Sequence, residues 1–269
     1  MAQISRGMDI AIKEAKDDGI NLRVIYEDDK SLSSVDAVNA ANKLTTIDNV
    51  DVVITALVEE ARPVIPIFNS DKTPLITVWD SNSLIKGSGD YIFSTGFSTE
   101  GAGEEMAEFA FQDLGKRKVA IVSHVDPWSQ VISQSFKHKF ESLGGSVVFE
   151  EETLPNEIDF KTIITKILMK VKNGEVDSVY LPLVPPNSFE FFLQSKELGL
   201  NDFDIDFLSG DGLIQDVITA SQGSAEGVYF TNIFTEEADQ LTQKYVREYG
   251  AEPIDVTLVS FGYDGVKAI

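Results

Sequence analysis

The chain has 269 residues, 43% of them hydrophobic, and carries 22 Lys and Arg against 44 Asp and Glu, for a formal net charge of −22. That apolar content supports a substantial core and excludes disorder, while the excess of anions disfavours nucleic acid and anionic membrane surfaces as partners. The absence of Cys removes disulfides, thiolate metal sites and a thiol nucleophile, and no stretch reaches the roughly 18 apolar residues of a membrane span.

In chain order, Ile4, Met8, Ile12 and Ala15 mark an amphipathic helix at the very start. A strand is expected over 22–26, closed by Glu27, Asp28 and Asp29, a carboxylate trio that reads as a solvated loop rather than a metal site. A helix over 35–44, a strand over 50–54, a helix over 61–68 and a strand over 74–78 follow. The Gly-rich stretch 96–103 (GFSTEGAG) lacks the Lys of a phosphate loop and the spacing of a dinucleotide site. It reads as the start of a helix with Ser98 or Thr99 as cap and Glu104 and Glu105 in the first turns. After a helix over 106–114, Gly115 ends the first set.

The second set repeats the rhythm. Strands are expected over 118–123, 146–149, 178–183, 203–208 and 228–233, with helices over 131–143, 160–171 and 189–198. Gly144, Gly174 and Gly199 supply helix stops. The strands are nearly continuous apolar runs, as parallel strands covered on both faces are, and the alternation means βαβ units. The tail, 235–269, is helical only. The expected fold is therefore α/β, two Rossmann-like lobes with parallel sheets: 1–116 plus 232–269, and 117–231. A doubly wound lobe normally begins with a central strand, whereas this chain opens in a helix and closes inside one, so both ends read as truncated.

Few residues offer catalytic chemistry. His138 lies between Lys137 and Lys139 on a helix and reads as solvated. His124 ends a strand, where open α/β sheets bind ligands, but no nucleophile elbow and no metal spacing accompany it, so a structural role is the simpler reading. The strand-to-helix turns are more telling. Asp126 is a good N-cap and Pro127 a good first helical residue, which puts Trp128 in the first turn at the sheet rim. Gly210-Asp211-Gly212 follows another strand, with glycines that let the backbone turn sharply and hold a carboxylate at a crevice edge; Asp-Gly is also a common turn pair. Trp79-Asp80-Ser81-Asn82 is a further rim loop carrying an aromatic.

Several segments together carry a family resemblance: Arg6-Gly7-Met8-Asp9-Ile10-Ala11, Glu27-Asp28-Asp29, Thr73-Pro74-Leu75-Ile76, Tyr91-Ile92-Phe93-Ser94-Thr95, Asp159-Phe160-Lys161-Thr162, Leu198-Gly199-Leu200, Gly210-Asp211-Gly212 and Ala225-Glu226-Gly227-Val228-Tyr229-Phe230. Their order and spacing, over essentially the whole chain, resemble the type I periplasmic solute-binding proteins of ABC importers, the branch typified by leucine/isoleucine/valine-binding proteins. The resemblance implies two lobes joined by a hinge and closing on a small ligand, no enzymatic activity and no cofactor. It implies a membrane permease as partner and a periplasmic or extracellular location, with or without a lipid anchor, the signal segment lying outside this sequence. The ligand expected is an aliphatic amino acid or related compound. An amide, urea-like or amine ligand is the alternative, as is a sensing ectodomain of the same fold.

The resemblance places Asp211 where the family pairs a carboxylate with a ligand ammonium, Trp128 where an aromatic covers the ligand, and Val184 and Pro185 in a further contact loop. By a gapless count, the positions that hold a ligand carboxylate fall near Glu59, Glu60, Asp80, Ser81 and Asn82. Ser81 and Asn82 can donate; ionised Glu59, Glu60 and Asp80 cannot. Two like charges about 4 Å apart cost roughly 4 kcal/mol at an effective dielectric of 20, about a thousandfold in affinity. An amino-acid ligand therefore requires both glutamates to turn outward, where they favour the helix N-terminus; this is the expected arrangement.

Overall fold

Apolar runs flanked by amphipathic segments fold as short parallel strands under covering helices. The computed structural model describes residues 2–30, 33–56, 58–81, 83–213, 215–232 and 238–269, with 58, 59, 80, 81, 215 and 216 described by backbone alone. The chain divides into two compact units, Met1–Ser98 with Ile233–Ile269, and Thr99–Asn232.

The first unit opens with α1 (Ala2–Asp17) and α2 (Ser34–Thr46), then β1 (Val53–Thr55), α3 (Val58–Asp71), β2 (Leu75–Thr77), β3 (Asp80–Ser81), β4 (Ile92–Ser94) and β5 (Phe97–Ser98). Its sheet runs β1-β2-β4, all parallel, with β3 and β5 forming a separate parallel pair. The strand expected over 22–26 is absent. A strand exists through its neighbours' hydrogen bonds, and no described strand pairs with this segment, which leaves Val24 and Tyr26 exposed.

The second unit contains α4 (Thr99–Glu108), a π-helical turn at Phe109–Asp113, β6 (Lys118–His124), α5 (Pro127–Ser142), β7 (Ser146–Thr153), α6 (Lys161–Lys172), β8 (Ser178–Leu181), α7 (Asn187–Glu197), β9 (Asp206–Ser209), α8 (Gln215–Ala220) and β10 (Tyr229–Phe230). The expected first lobe, 1–116, runs past the boundary at Ser98: α4 packs on α5, and Gly103 is what permits it, since a Cβ there would lie 2.5 Å from Ile132 O. Five parallel strands in the order β10-β9-β8-β6-β7 form the sheet. Its two faces bury separate apolar clusters, one around Phe160, Ile164, Phe191 and Phe192, the other around Phe136, Phe140 and Tyr180. Gly115, Gly144, Gly174 and Gly199 all take positive φ, as their place after helices requires.

The tail returns to the first unit as α9 (Ala238–Tyr249) and α10 (Val256–Lys267), with no strand among its described residues. Arg6 of α1 donates from Nη1 to Tyr245 Oη at 2.5 Å and lies over the Tyr249 ring at 4.9 Å, which ties α1 to α9.

Candidate functional site

The strand ends of the second unit carry Trp128, Val184, Pro185 and Asp211 of the residues singled out in the sequence. β6 ends at His124, and Asp126 then caps α5 from extended backbone, its Oδ1 accepting from Ser129 N at 2.9 Å. Pro127 opens the helix, and Trp128 sits half-buried in its first turn. Ser129 locks the geometry: its Oγ accepts from His124 N at 2.8 Å and donates to Pro182 O at 2.7 Å. One buried hydroxyl thus fastens the end of β6, the start of α5 and the loop after β8. His124 is fully buried, with Nδ1 3.6 Å from Asp126 Oδ2. Burial lowers its pKa and Asp126 only partly opposes this, so the imidazole is neutral at pH 7 and structural.

On the neighbouring strand, Ser209 Oγ donates to Leu181 O at 2.9 Å and anchors the turn that carries Asp211. The flanking glycines serve a purpose other than the one expected. Neither has positive φ; both are needed because the indole lies against the turn. A Cβ on Gly210 would stand 3.4 Å from Trp128 Cζ2 and 2.9 Å from Ile132 Cδ1, and one on Gly212 would stand 3.1 Å from Trp128 Cη2 and 3.0 Å from Leu183 O. Val184, half-buried, closes the same turn, with Cγ1 3.5 Å from that position, while Pro185 is exposed.

Asp211 is half-buried as a residue, but its Oδ1 is enclosed and has no hydrogen-bond partner. Burial raises its pKa from 3.8 to about 6, against the pull of its own backbone N–H and of the Trp128 indole N–H. Tyr180 on β8, fully buried, also has an Oη without a partner, and burial together with the charge on Asp211 drives its pKa well above 10. The sequence did not single out Tyr180, because a tyrosine inside an apolar strand reads as core; its one signal was a hydroxyl in a segment with no obvious acceptor.

The other set of expected residues lies in the first unit. Glu60 does not turn outward. It is 2% exposed, and Thr55 Oγ1 donates to its Oε2 at 3.4 Å. It lines an open pocket with Glu27, Thr55, Val64 and Phe68, beside the edge of β1 that no described strand covers. Asp80 and Ser81 form β3 by backbone, while the side chains of Glu59, Asp80 and Ser81, and the whole of Asn82, lie outside the described residues. Glu27 pairs with Lys43, and Asp28 Oδ1 accepts from Lys30 N at 2.8 Å. Among the described residues no cluster suits a metal ion.

Comparison with known proteins gives concordant matches. The sequence model of the family described as "Periplasmic binding protein" matches residues 1–269. Leu/Ile/Val-binding protein homolog 1 of Brucella abortus is 26% identical over 281 residues, spanning 97% of this chain and 70% of that protein. Among solved structures, the branched-chain amino acid transporter substrate-binding protein LivJ of Streptococcus pneumoniae, in complex with isoleucine, superposes with a TM-score of 0.82 at 21% identity, covering 99% of this chain and 77% of that one. A solute-binding protein of an ABC transporter from Rhodopseudomonas palustris, in complex with 3,4-dihydroxybenzoic acid, does so with a TM-score of 0.82 at 22% identity, covering 99% and 74%.

Proposed function

Because the chain belongs to the periplasmic binding protein family, whose members are binding proteins rather than enzymes, we propose that it is the solute receptor of an ABC importer and that it holds a small ligand through a nitrogen-borne hydrogen-bond donor set against Asp211. One observation carries this reading: the enclosed Asp211 Oδ1, an acceptor with no partner, beside an indole packed on the same turn. An acceptor left in that state costs free energy, and a ligand ammonium or amide N–H relieves the cost. Trp128 adds an aromatic face against which an aliphatic group or a cation packs. An aliphatic amino acid fits this pattern, and the isoleucine held by a relative of the same fold agrees with it. The protein then works outside the cytoplasmic membrane and delivers its ligand to a membrane permease.

An amine or amide without a carboxylate offers the same N–H donors to Asp211 and is the alternative ligand class. A thermal-shift panel of isoleucine, leucinamide, isobutylamine and 3,4-dihydroxybenzoate separates the cases. Nitrogen-bearing compounds are expected to raise the unfolding temperature of the wild type and to leave Asp211→Asn unmoved. Stabilisation by dihydroxybenzoate alone, or an equal response in the variant, contradicts the assignment.

A further inference from the structure

We propose that the corner of the second unit formed by Val125, Leu154 and Ile158 is a docking surface for a cationic, apolar segment of the membrane permease. This rests on the reading of the chain as a solute receptor and adds the surface that meets the partner. The three residues are 48%, 61% and 51% exposed, and the fold sets them together. His124 of β6 is in register with Thr153 of β7, and Val125 N donates to Thr153 O at 3.0 Å. The ladder therefore runs one step past β6 and stands Val125 beside Leu154, at the strand spacing of about 5 Å. Glu157 N donates to Leu154 O at 2.9 Å, a turn that brings the chain back with Ile158 next in line. Scattered exposed apolar residues are ordinary, whereas a contiguous group marks a contact surface.

The loop that carries Leu154 and Ile158 is fixed from beneath by two buried amides of α7. Asn187 Nδ2 donates to Glu157 O, and Gln194 donates from Nε2 to Ile158 O at 2.7 Å while its Oε1 accepts from Phe160 N at 2.8 Å. An ordered backbone thus presents the apolar side chains, and little freedom is lost when a partner covers them.

Charge decides which partner fits. Asp126 adjoins Val125, Glu152 lies two residues before Leu154, and Glu157 and Asp159 flank Ile158. Among the described residues, none of these carboxylates pairs with Lys or Arg. They accept instead from Ser129 N, Gln130 Nε2, Asp159 N and Lys161 N, and the one imidazole near Asp126, that of His124, is neutral. Further back on β7, Glu150 pairs with Lys137 and Glu151 with Lys166, so the acids left without a cation are those around the apolar group. A second copy of this chain, with its net charge of −22, meets repulsion there, as do nucleic acid and an anionic lipid surface. A protein segment that brings Arg or Lys together with Leu or Ile satisfies both parts of the surface.

The test uses the whole chain at about 0.15 M salt, where a Debye length of about 8 Å screens the net charge. Short synthetic peptides alternating arginine with leucine, arginine with serine, or glutamate with leucine are titrated in and followed by amide NMR. The arginine–leucine peptide is expected to move the amides of Val125, Leu154 and Ile158. Leu154→Ser combined with Ile158→Ser should weaken its binding by at least about tenfold, and Glu152→Gln combined with Glu157→Gln by about threefold. The arginine–serine peptide should bind the wild type and the serine variant alike. No binding of the arginine–leucine peptide, shifts centred elsewhere, equal affinity in the serine variant, or equal binding of the glutamate–leucine peptide would each overturn the proposal. If the arginine–leucine peptide binds at this corner while the thermal-shift panel finds no small ligand, the docking surface for a cationic, apolar partner stands and the solute-receptor reading alone fails.

Discussion

Asp211 destabilises the fold when it is ionised. Its folded pKa of about 6 lies above the ordinary 3.8 because burial disfavours the charged form. Between those values the folded chain binds more protons than the unfolded one, so acidification from pH 7 toward 4 stabilises the fold at this position. At pH 7 the ionised group costs on the order of 2–3 kcal/mol. Asp211→Asn is therefore expected to be more stable than wild type by about 1–3 kcal/mol at pH 7, with the gap closing by pH 4, as read from urea unfolding at the two pH values. A variant less stable than wild type at pH 7 contradicts this. Glu14 in the first unit has the opposite sign. Burial pushes it up, but hydrogen bonds from Lys244, Tyr263 and Lys267 prevail and hold it at about 2. Its contribution is present above pH 4.5 and fades as pH falls toward 2. The candidate residues differ in how plainly their sequence context marked them. Trp128 and Asp211 were visible because a cap, a proline and a glycine-flanked carboxylate stand at strand ends. Tyr180 was hidden because the strand pattern shows that a residue is buried, not that its hydroxyl lacks a partner.

Among the elements, α1 and α10 cross through two glycines. A Cβ on Gly7 would stand 1.9 Å from Val259 O, and one on Gly262 would stand 1.9 Å from Ile4 O. Backbone touches backbone there, and a methyl group has no side chain to displace. Gly7→Ala and Gly262→Ala are each expected to destabilise the protein by about 3 kcal/mol, at the upper end of overpacking costs, measured by thermal melting of far-UV circular dichroism. A melting temperature within a degree or two of wild type would show that the crossing is looser than this. The helices were legible because their apolar residues recur every three to four positions and glycines end them. β4 and the β3–β5 pair were not read as strands, because polar residues (Asp80, Ser81, Ser94, Ser98) interrupt them, whereas the equally short β1 and β2 lie within longer, mostly apolar runs. The segment 22–26 shows the converse failure: its composition is that of a strand, and pairing, which composition does not record, is absent.

For the whole molecule, the alternation of strand and helix was enough to infer two α/β units, and the type I periplasmic binding protein fold follows from the match of the chain to known members. The burial of single carboxylates was not legible. Glu60 makes the point: an acidic residue near a helix start reads as solvated, and the fold turns it inward. The central claim is that Trp128 and Asp211 together hold the ligand, and Trp128 can report on this itself. The chain has two tryptophans, and Trp79 packs tilted against Phe261 in the first unit with ring centroids 5.9 Å apart. In a Trp79→Phe protein, the emission of Trp128 should change saturably as isoleucine or an aliphatic amine is added, and the change should vanish when Asp211→Asn is introduced. Binding detected by calorimetry with the Trp128 emission unmoved would contradict the account.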